Sequence, residues 1–171
     1  MKFIGRHEEQ LVFEMTVREK SLFLAILGLY PQVPQSHHRL SQQSDLPDAE
    51  ANQRLLEESL KAQKAESRKW ITTTFKEPDR FKPGKTGFYL TIKRPELEML
   101  LQIFNDVRIG SWLTLGSPAA GQKKKLVPTP QTAPFIQRME LAGAFEMFFL
   151  KTIRDEAILI SGSHCQITMT R

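Results

Sequence analysis

Apolar residues fall along this chain in short runs whose spacing switches between alternation and three- and four-residue steps, with polar, proline- and glycine-rich stretches between them. Residues 2–5 and 11–14 predict two short strands around a polar turn at 6–10. Thr16-Val17-Arg18-Glu19 is a capping box, and it predicts a helix through about Tyr30, where Pro31 and Pro34 end it. Residues 31–47 have no periodicity and are rich in Pro, Gln and Ser, which predicts an exposed loop. Asp48 is placed to cap a long helix to about Phe75. The apolar residues of that helix, Leu56, Leu60, Trp70, Ile71 and Phe75, are sparse among charges, so it is expected on the outside. Residues 76–87 read as a basic loop punctuated by Pro78, Pro83, Gly84 and Gly87. Phe88, Leu90 and Ile92 alternate with Tyr89, Thr91 and Lys93 as in a half-buried strand, which could join the N-terminal hairpin in a three-stranded sheet.

The next stretch, 95–116, is the one around which the rest is expected to be organised. Pro95 suits the first helical position, and Glu96 and Glu98 put negative charge on the positive end of the helix dipole. Gly116 can close the helix in the left-handed conformation, and Pro118 forbids its continuation. Leu97, Leu101, Phe104, Val107 or Arg108, Trp112 and Leu115 recur at helical steps and predict the core-facing stripe. An irregular segment, 117–133, follows. Pro134 then opens a helix through about Ala157 in which Phe135, Ile136, Met139, Leu141, Phe145, Met147, Phe148, Phe149, Leu150 and Ile153 cover nearly every side. Such a helix is either central or shared with another subunit. The tail is expected to end in a strand at 165–169. Together these elements predict one domain, 1–171, that is mainly α: a helical bundle with a small antiparallel β-sheet formed by the N-terminal hairpin and the mid-chain strand.

Polar residues interrupt both long apolar helices. Asn105 and Arg108 share a stripe with Leu101, Phe104, Trp112 and Leu115, and Glu146 breaks the row Met139, Ala142, Phe149, Ile153 in the same way. An unpaired buried charge is strongly unfavourable, so the sequence predicts a buried ion pair between Arg108 and Glu146, with Asn105 saturating part of it. The cluster reads either as a clamp that fixes helix packing or as a candidate site.

The same helix carries a resemblance. Leu101 and Asn105-Asp106-Val107-Arg108-Ile109 resemble the Leu-Asn-Asp-x-Arg-Leu stretch of an uncharacterised family of small, mostly helical bacterial proteins, a domain of unknown function. The order of parts is also similar, from the opening hairpin to the closing aromatic-rich helix. Two departures stand out: the family's tryptophan near the start of the helix is absent, and its closing glycine motif is rearranged around Gly110, Trp112 and Gly116. The resemblance implies a cytoplasmic, mostly helical bacterial protein and assigns no reaction.

Composition is that of an ordinary globular chain, 40% hydrophobic and 25% charged over 171 residues. The single cysteine, Cys165, excludes an intrachain disulfide, and with a charged N-terminus lacking a signal-peptide core it points to the cytoplasm. No apolar run is long and uninterrupted enough to predict a membrane span. The net charge of +5 has a definite location. Residues 76–94 hold six basic side chains against two acidic, and 117–133 hold three against none. Arg80, Lys82 and Lys85 around Phe81, with Lys123, Lys124 and Lys125, form a candidate basic patch of the kind that holds a phosphate backbone beside a stacking aromatic. A lysine-rich solvated loop would have the same composition.

Other motifs carry less. The spacing Gly116, Gly121, Gln122, Lys123 resembles a phosphate-binding loop, but a helix precedes it, Gln122 intervenes, and Lys124 stands where a hydroxyl is required. His164 and Cys165 are sequence neighbours and would point apart on an extended chain. His37-His38 has no acidic or thiol ligand at metal-binding spacing. No cofactor or metal is called for. The leading expectation is a non-enzymatic cytoplasmic protein acting through protein–protein contact, as a homo-oligomer or regulatory partner. Its rival is a nucleic-acid-associated protein using loops 76–94 and 117–133. An enzyme drawing on Glu146, Arg108 and Asn105 ranks third and would need a pocket opening onto them.

Overall fold

A computed structural model describes residues 1–34, 37, 48–117 and 127–164, with side chains of the last helix as far as Asp155. Strands β1 (Lys2–His7) and β2 (Gln10–Met15) form a hairpin, and β3 (Phe81–Pro83) and β4 (Phe88–Lys93) form a second. The hairpins join through β2 and β4 into one antiparallel sheet of order β1-β2-β4-β3. Around it are α1 (Val17–Leu27), α2 (Ala49–Thr74), α3 (Arg94–Thr114) and α4 (Ala133–His164), with a 3₁₀ turn at Pro78–Arg80. The chain is thus mainly helical, but its sheet has four strands and makes the architecture mixed. No helix among the described residues is long and apolar enough to cross a membrane.

The sheet buries one face because its strands alternate. Leu11 pairs with Ile92 and Phe13 with Leu90, and all four side chains lie in the core. Against them α1 places Phe23, Ile26 and Leu27, α3 places Leu97, Leu100, Ile103, Phe104 and Val107, and α4 places Ala142, Phe145 and Phe149. Phe23 meets Phe75, Phe81, Phe104, Phe145 and Phe149 with ring centroids 5.4–6.4 Å apart, all edge-on. Phe104 stacks on Phe145 at 5.4 Å and on Phe149 at 5.9 Å. These contacts, with Arg108 beside Glu146, run α3 and α4 antiparallel.

Local sequence explains the best-defined ends. Thr16 accepts from the Glu19 amide while the Glu19 carboxylate accepts from the Thr16 amide, closing the capping box of α1. At the end of α3, Gly116 takes a positive φ of 84°. Its amide donates to Leu113 and that of Ser117 to Trp112, the paired bonds that satisfy a helix's last carbonyls.

Several expectations are corrected. Helix α1 stops at Leu27 rather than Tyr30, because Gly28 caps it and Leu29 and Tyr30 form tighter turns onto Ile26 and Leu27. Asp48 stands at the start of α2 with a left-handed backbone and makes no side-chain cap. The basic loop 76–87 contains the 3₁₀ turn and β3, so a fourth strand was hidden in it. The core stripe of α3 is Leu97, Leu100, Ile103, Phe104, Val107, Gly110 and Ser111, while Leu101, Asn105, Trp112 and Leu115 are half-buried on the flank and Arg108 lies outside it. Helix α4 continues to His164, beyond the expected 157. The predicted strand at 165–169, Cys165 and the Gly121-Gln122-Lys123-Lys124 stretch lie outside the described residues. Helix α2 does run along the outside, with Ser67 and Thr74 its two buried residues.

Candidate functional site

On the flank where α3 and α4 face each other, the three polar residues predicted to meet do meet. Arg108 Nε lies 3.0 Å from Glu146 Oε2, and its Nη2 donates to Asn105 Oδ1 at 2.9 Å. Antiparallel packing sets this up: Asn105 and Arg108 are one turn apart on α3, and Glu146 sits across from them on α4. The cluster is not dry. The Arg108 side chain is 45% exposed and that of Glu146 16%, so the buried ion pair expected here is a partly solvated one. The reason is the phase of α3: with Val107 and Gly110 turned to the core, Arg108 is carried to the rim.

A groove opens beside it. Arg108, Ile109 and Trp112 of α3 and Met139, Glu140 and Gly143 of α4 line a cleft of about 470 Å³. The opening that catalysis by this cluster would require therefore exists at Arg108, but Glu146 is not among the lining residues, and its carboxylate is already engaged by the guanidinium. Among the described residues that line the cleft, the exposed Glu140 at its edge is the one general acid or base.

The candidate basic patch is rearranged by the fold. Arg80 donates to both carboxylate oxygens of Glu96 at 2.8 and 3.0 Å, to Glu77 at 3.1 Å and to the Thr91 carbonyl at 2.9 Å. Burial works against its charge, yet the bonds and charges of Glu96 and Glu77 raise its pKa above the ordinary arginine value. Phe81, the expected stacking aromatic, is buried, with Lys20 placed over its ring at 4.4 Å. Arg80 and Phe81 are therefore taken up by the interior, while Lys82 and Lys85 remain on the surface. The shallow cleft by Arg80 and Lys82 also carries Glu77 and Asp79, so it is not a one-sign surface. Lys123, Lys124 and Lys125 lie outside the described residues. Among the described residues no group of three His, Cys, Asp or Glu side chains could hold a metal ion.

A second polar junction ties α3 to the segment after α1. Asp106 Oδ1 accepts from the backbone amides of Gln32, at 2.6 Å, and Val33, at 3.3 Å. Lys64 reaches from α2 to the Val33 carbonyl at 2.8 Å, its ammonium 3.9 Å from Asp106 Oδ2. Burial pushes the Tyr30 phenol above the ordinary tyrosine pKa, with the Asp106 charge adding to the effect and the Ser67 hydroxyl opposing it. Residues 30–33 are thus docked rather than exposed, with Tyr30 and Val33 buried. Gly110 lets them in: a Cβ there would fall 2.3 Å from Gln32 Cβ and 2.7 Å from its carbonyl carbon. The one available signal was a carboxylate followed one turn later by a glycine on the same helix face, which marks close approach of another backbone.

The outward side of α4 is the remaining feature. Met147 is 70% and Leu150 47% exposed, the two large apolar side chains left most open to water among the described residues of α4. Compared with protein-family models, curated proteins and solved structures, the chain matches none. What the fold and these sites define is a mixed α/β protein whose longest helix is anchored by one side and open on the other.

Proposed function

We propose that this chain is a non-enzymatic cytoplasmic protein that acts through protein–protein contact, and that the open side of α4 is the contact surface. The observation that carries this reading is the exposure of Met147 and Leu150 on a helix whose opposite side, through Ala142, Phe145 and Phe149, is fixed in the core. A surface helix usually keeps polar residues outward; an outward methionine beside a leucine, on a rigid element, is what a partner's apolar surface covers. Beside the α3–α4 groove Arg108 and Glu146 are already engaged with each other, which favours binding over chemistry there.

The test compares the wild-type chain with M147E/L150E, which changes only exposed positions. In-cell crosslinking followed by mass spectrometry should recover a partner, or a second copy, with the wild-type chain and lose it with the variant, while the two melt within a few degrees of each other. Equal recovery from both, or a strict monomer with no crosslinked protein in either, would overturn the proposal.

A further inference from the structure

The open side of α4 has a charge order that specifies its occupant. Glu140, Ala144, Met147, Leu150, Lys151 and Arg154 are all exposed, and at 100° per residue they share a stripe roughly 120° wide. Glu140, Ala144, Met147, Lys151 and Arg154 follow each other at steps of four, three, four and three, the repeat that lets two helices stay in contact over several turns. The stripe is acidic at its N-terminal end, apolar in the middle and basic at its C-terminal end.

That order is self-complementary when the helix is reversed. Placing a two-fold axis at Met147 brings Met147 onto its own copy, Ala144 opposite Leu150, Gly143 opposite Lys151, and Glu140 opposite Arg154. Each small residue then faces a long one, Glu140 faces a base, and every pairing off the axis occurs twice, as a two-fold interface demands. A parallel pairing would instead set Glu140 against Glu140 and Arg154 against Arg154. Among the described residues Arg154 bonds solely to the neighbouring Asp155, at 3.5 Å, with the two side chains 70% and 49% exposed, so it can exchange partners. Glu140 has no partner among the described residues and also edges the α3–α4 groove, so a helix lying along the stripe would border that opening.

We propose that the occupant of this surface is a second copy of the same chain, paired antiparallel through α4 about Met147. This rests on the reading that the open side of α4 is a contact surface, and narrows it to one partner and one geometry. A single helix pair falls below the area of a standard stable interface, so the dimer is weak and forms as the chain is concentrated.

Sedimentation velocity over a wide concentration range, on the full chain, tests it. The wild type should pass reversibly from monomer to dimer. E140K and R154E should each weaken dimerisation about ten-fold, because each puts two like-charge pairs into the interface. E140K/R154E should return to within about three-fold of the wild type, since the swap restores every pair. As a geometric check, E140C chains mixed with R154C chains, both carrying C165S, should form a disulfide-linked heterodimer under mild oxidation. A monomer at all concentrations, or a dimer indifferent to the single swaps or not rescued by the double one, would overturn the inference. If the chain is monomeric yet still captures a different protein in a manner lost with M147E/L150E, self-pairing falls and the contact surface stands.

Discussion

Two arginine–glutamate pairs hold α3, and they are built differently. Near its start, Arg80 spans both oxygens of Glu96 and also meets Glu77 and the Thr91 carbonyl, with the Arg80 side chain 13% exposed and that of Glu96 16%. Past its middle, Arg108 makes one contact to Glu146 and one to Asn105 and keeps 45% of its side chain in water. The first guanidinium replaces most of its hydration with fixed acceptors; the second keeps much of its own. Chemical identity of the pair therefore says little about its worth. The number of fixed acceptors and the water left around the charge decide it.

The largest effect should come from breaking the first pair. Arg80→Met leaves Glu96 partly buried without its partner and removes the tie between the 3₁₀ turn, β4 and α3. A loss of about 3 kcal/mol in urea-induced unfolding is expected, at the lower end for a buried pair because neither group is fully dry. A loss below about 1 kcal/mol would erase the distinction between the two pairs.

Which parts of this were legible follows from how local each signal is. The hairpin, the capping box at Thr16, strand β4 and the closing turn at Gly116 depend on residues a few positions apart, and the chain displays them. Strand β3 is three residues long, includes Pro83, and exists because β4 pairs with it, so nothing in its own sequence announces it. The phase of α3 was ambiguous because Leu100 and Leu101, Ile103 and Phe104, and Val107 and Arg108 offer adjoining stripes; the sheet and α4 select the one with Leu100, Ile103 and Val107. The sequence pairs Arg108 with Glu146 because each interrupts an apolar row, but their exposure depends on that phase. The sequence reads Arg80 as a surface residue because its acceptors include Glu96, sixteen positions away, and gives no sign of the role of Asp106 because the amides it accepts from lie over seventy positions back.

Asp106 should fall between the two arginine pairs. It is a carboxylate held by two amides and a neighbouring ammonium, half-buried, with Lys64 as its side-chain partner among the described residues. Asp106→Asn keeps the shape and an acceptor but loses the charge, and should cost about 1–2 kcal/mol. Amide exchange at Gln32 and Val33 should quicken more than elsewhere in the chain. Unchanged protection at those two amides would show that Gly110 packing alone holds the segment.

Breaking the second pair should matter less. Arg108→Met and Glu146→Gln are each expected to change stability by less than about 1 kcal/mol, and the double variant by little more than either. Raising the salt concentration should shrink the Arg108 effect more than the Arg80 effect, because screening acts on charges that water reaches. A salt-insensitive loss of about 3 kcal/mol at Arg108 would mean that the cluster is the molecule's central clamp after all.

The smallest effect sharpens the same comparison at its exposed end. Glu19 pairs with the N-terminal ammonium and with Thr16, its side chain about a third exposed. Burial raises its pKa, but the hydrogen bonds from the ammonium and Thr16, with the ammonium's charge, outweigh this and hold the carboxyl below its ordinary 4.5. A carboxyl whose pKa is lower folded than unfolded adds stability that is fully present above the unfolded value and disappears as the pH falls through the folded one. Glu19→Gln preserves the capping geometry and removes only the charge, so it should cost a few tenths of a kcal/mol, at most about 0.5, at neutral pH. Unfolding curves of the two chains should converge on acidification below 4.5. Convergence at neutral pH instead would mean that the ammonium contributes nothing that the hydrogen bonds to Thr16 do not.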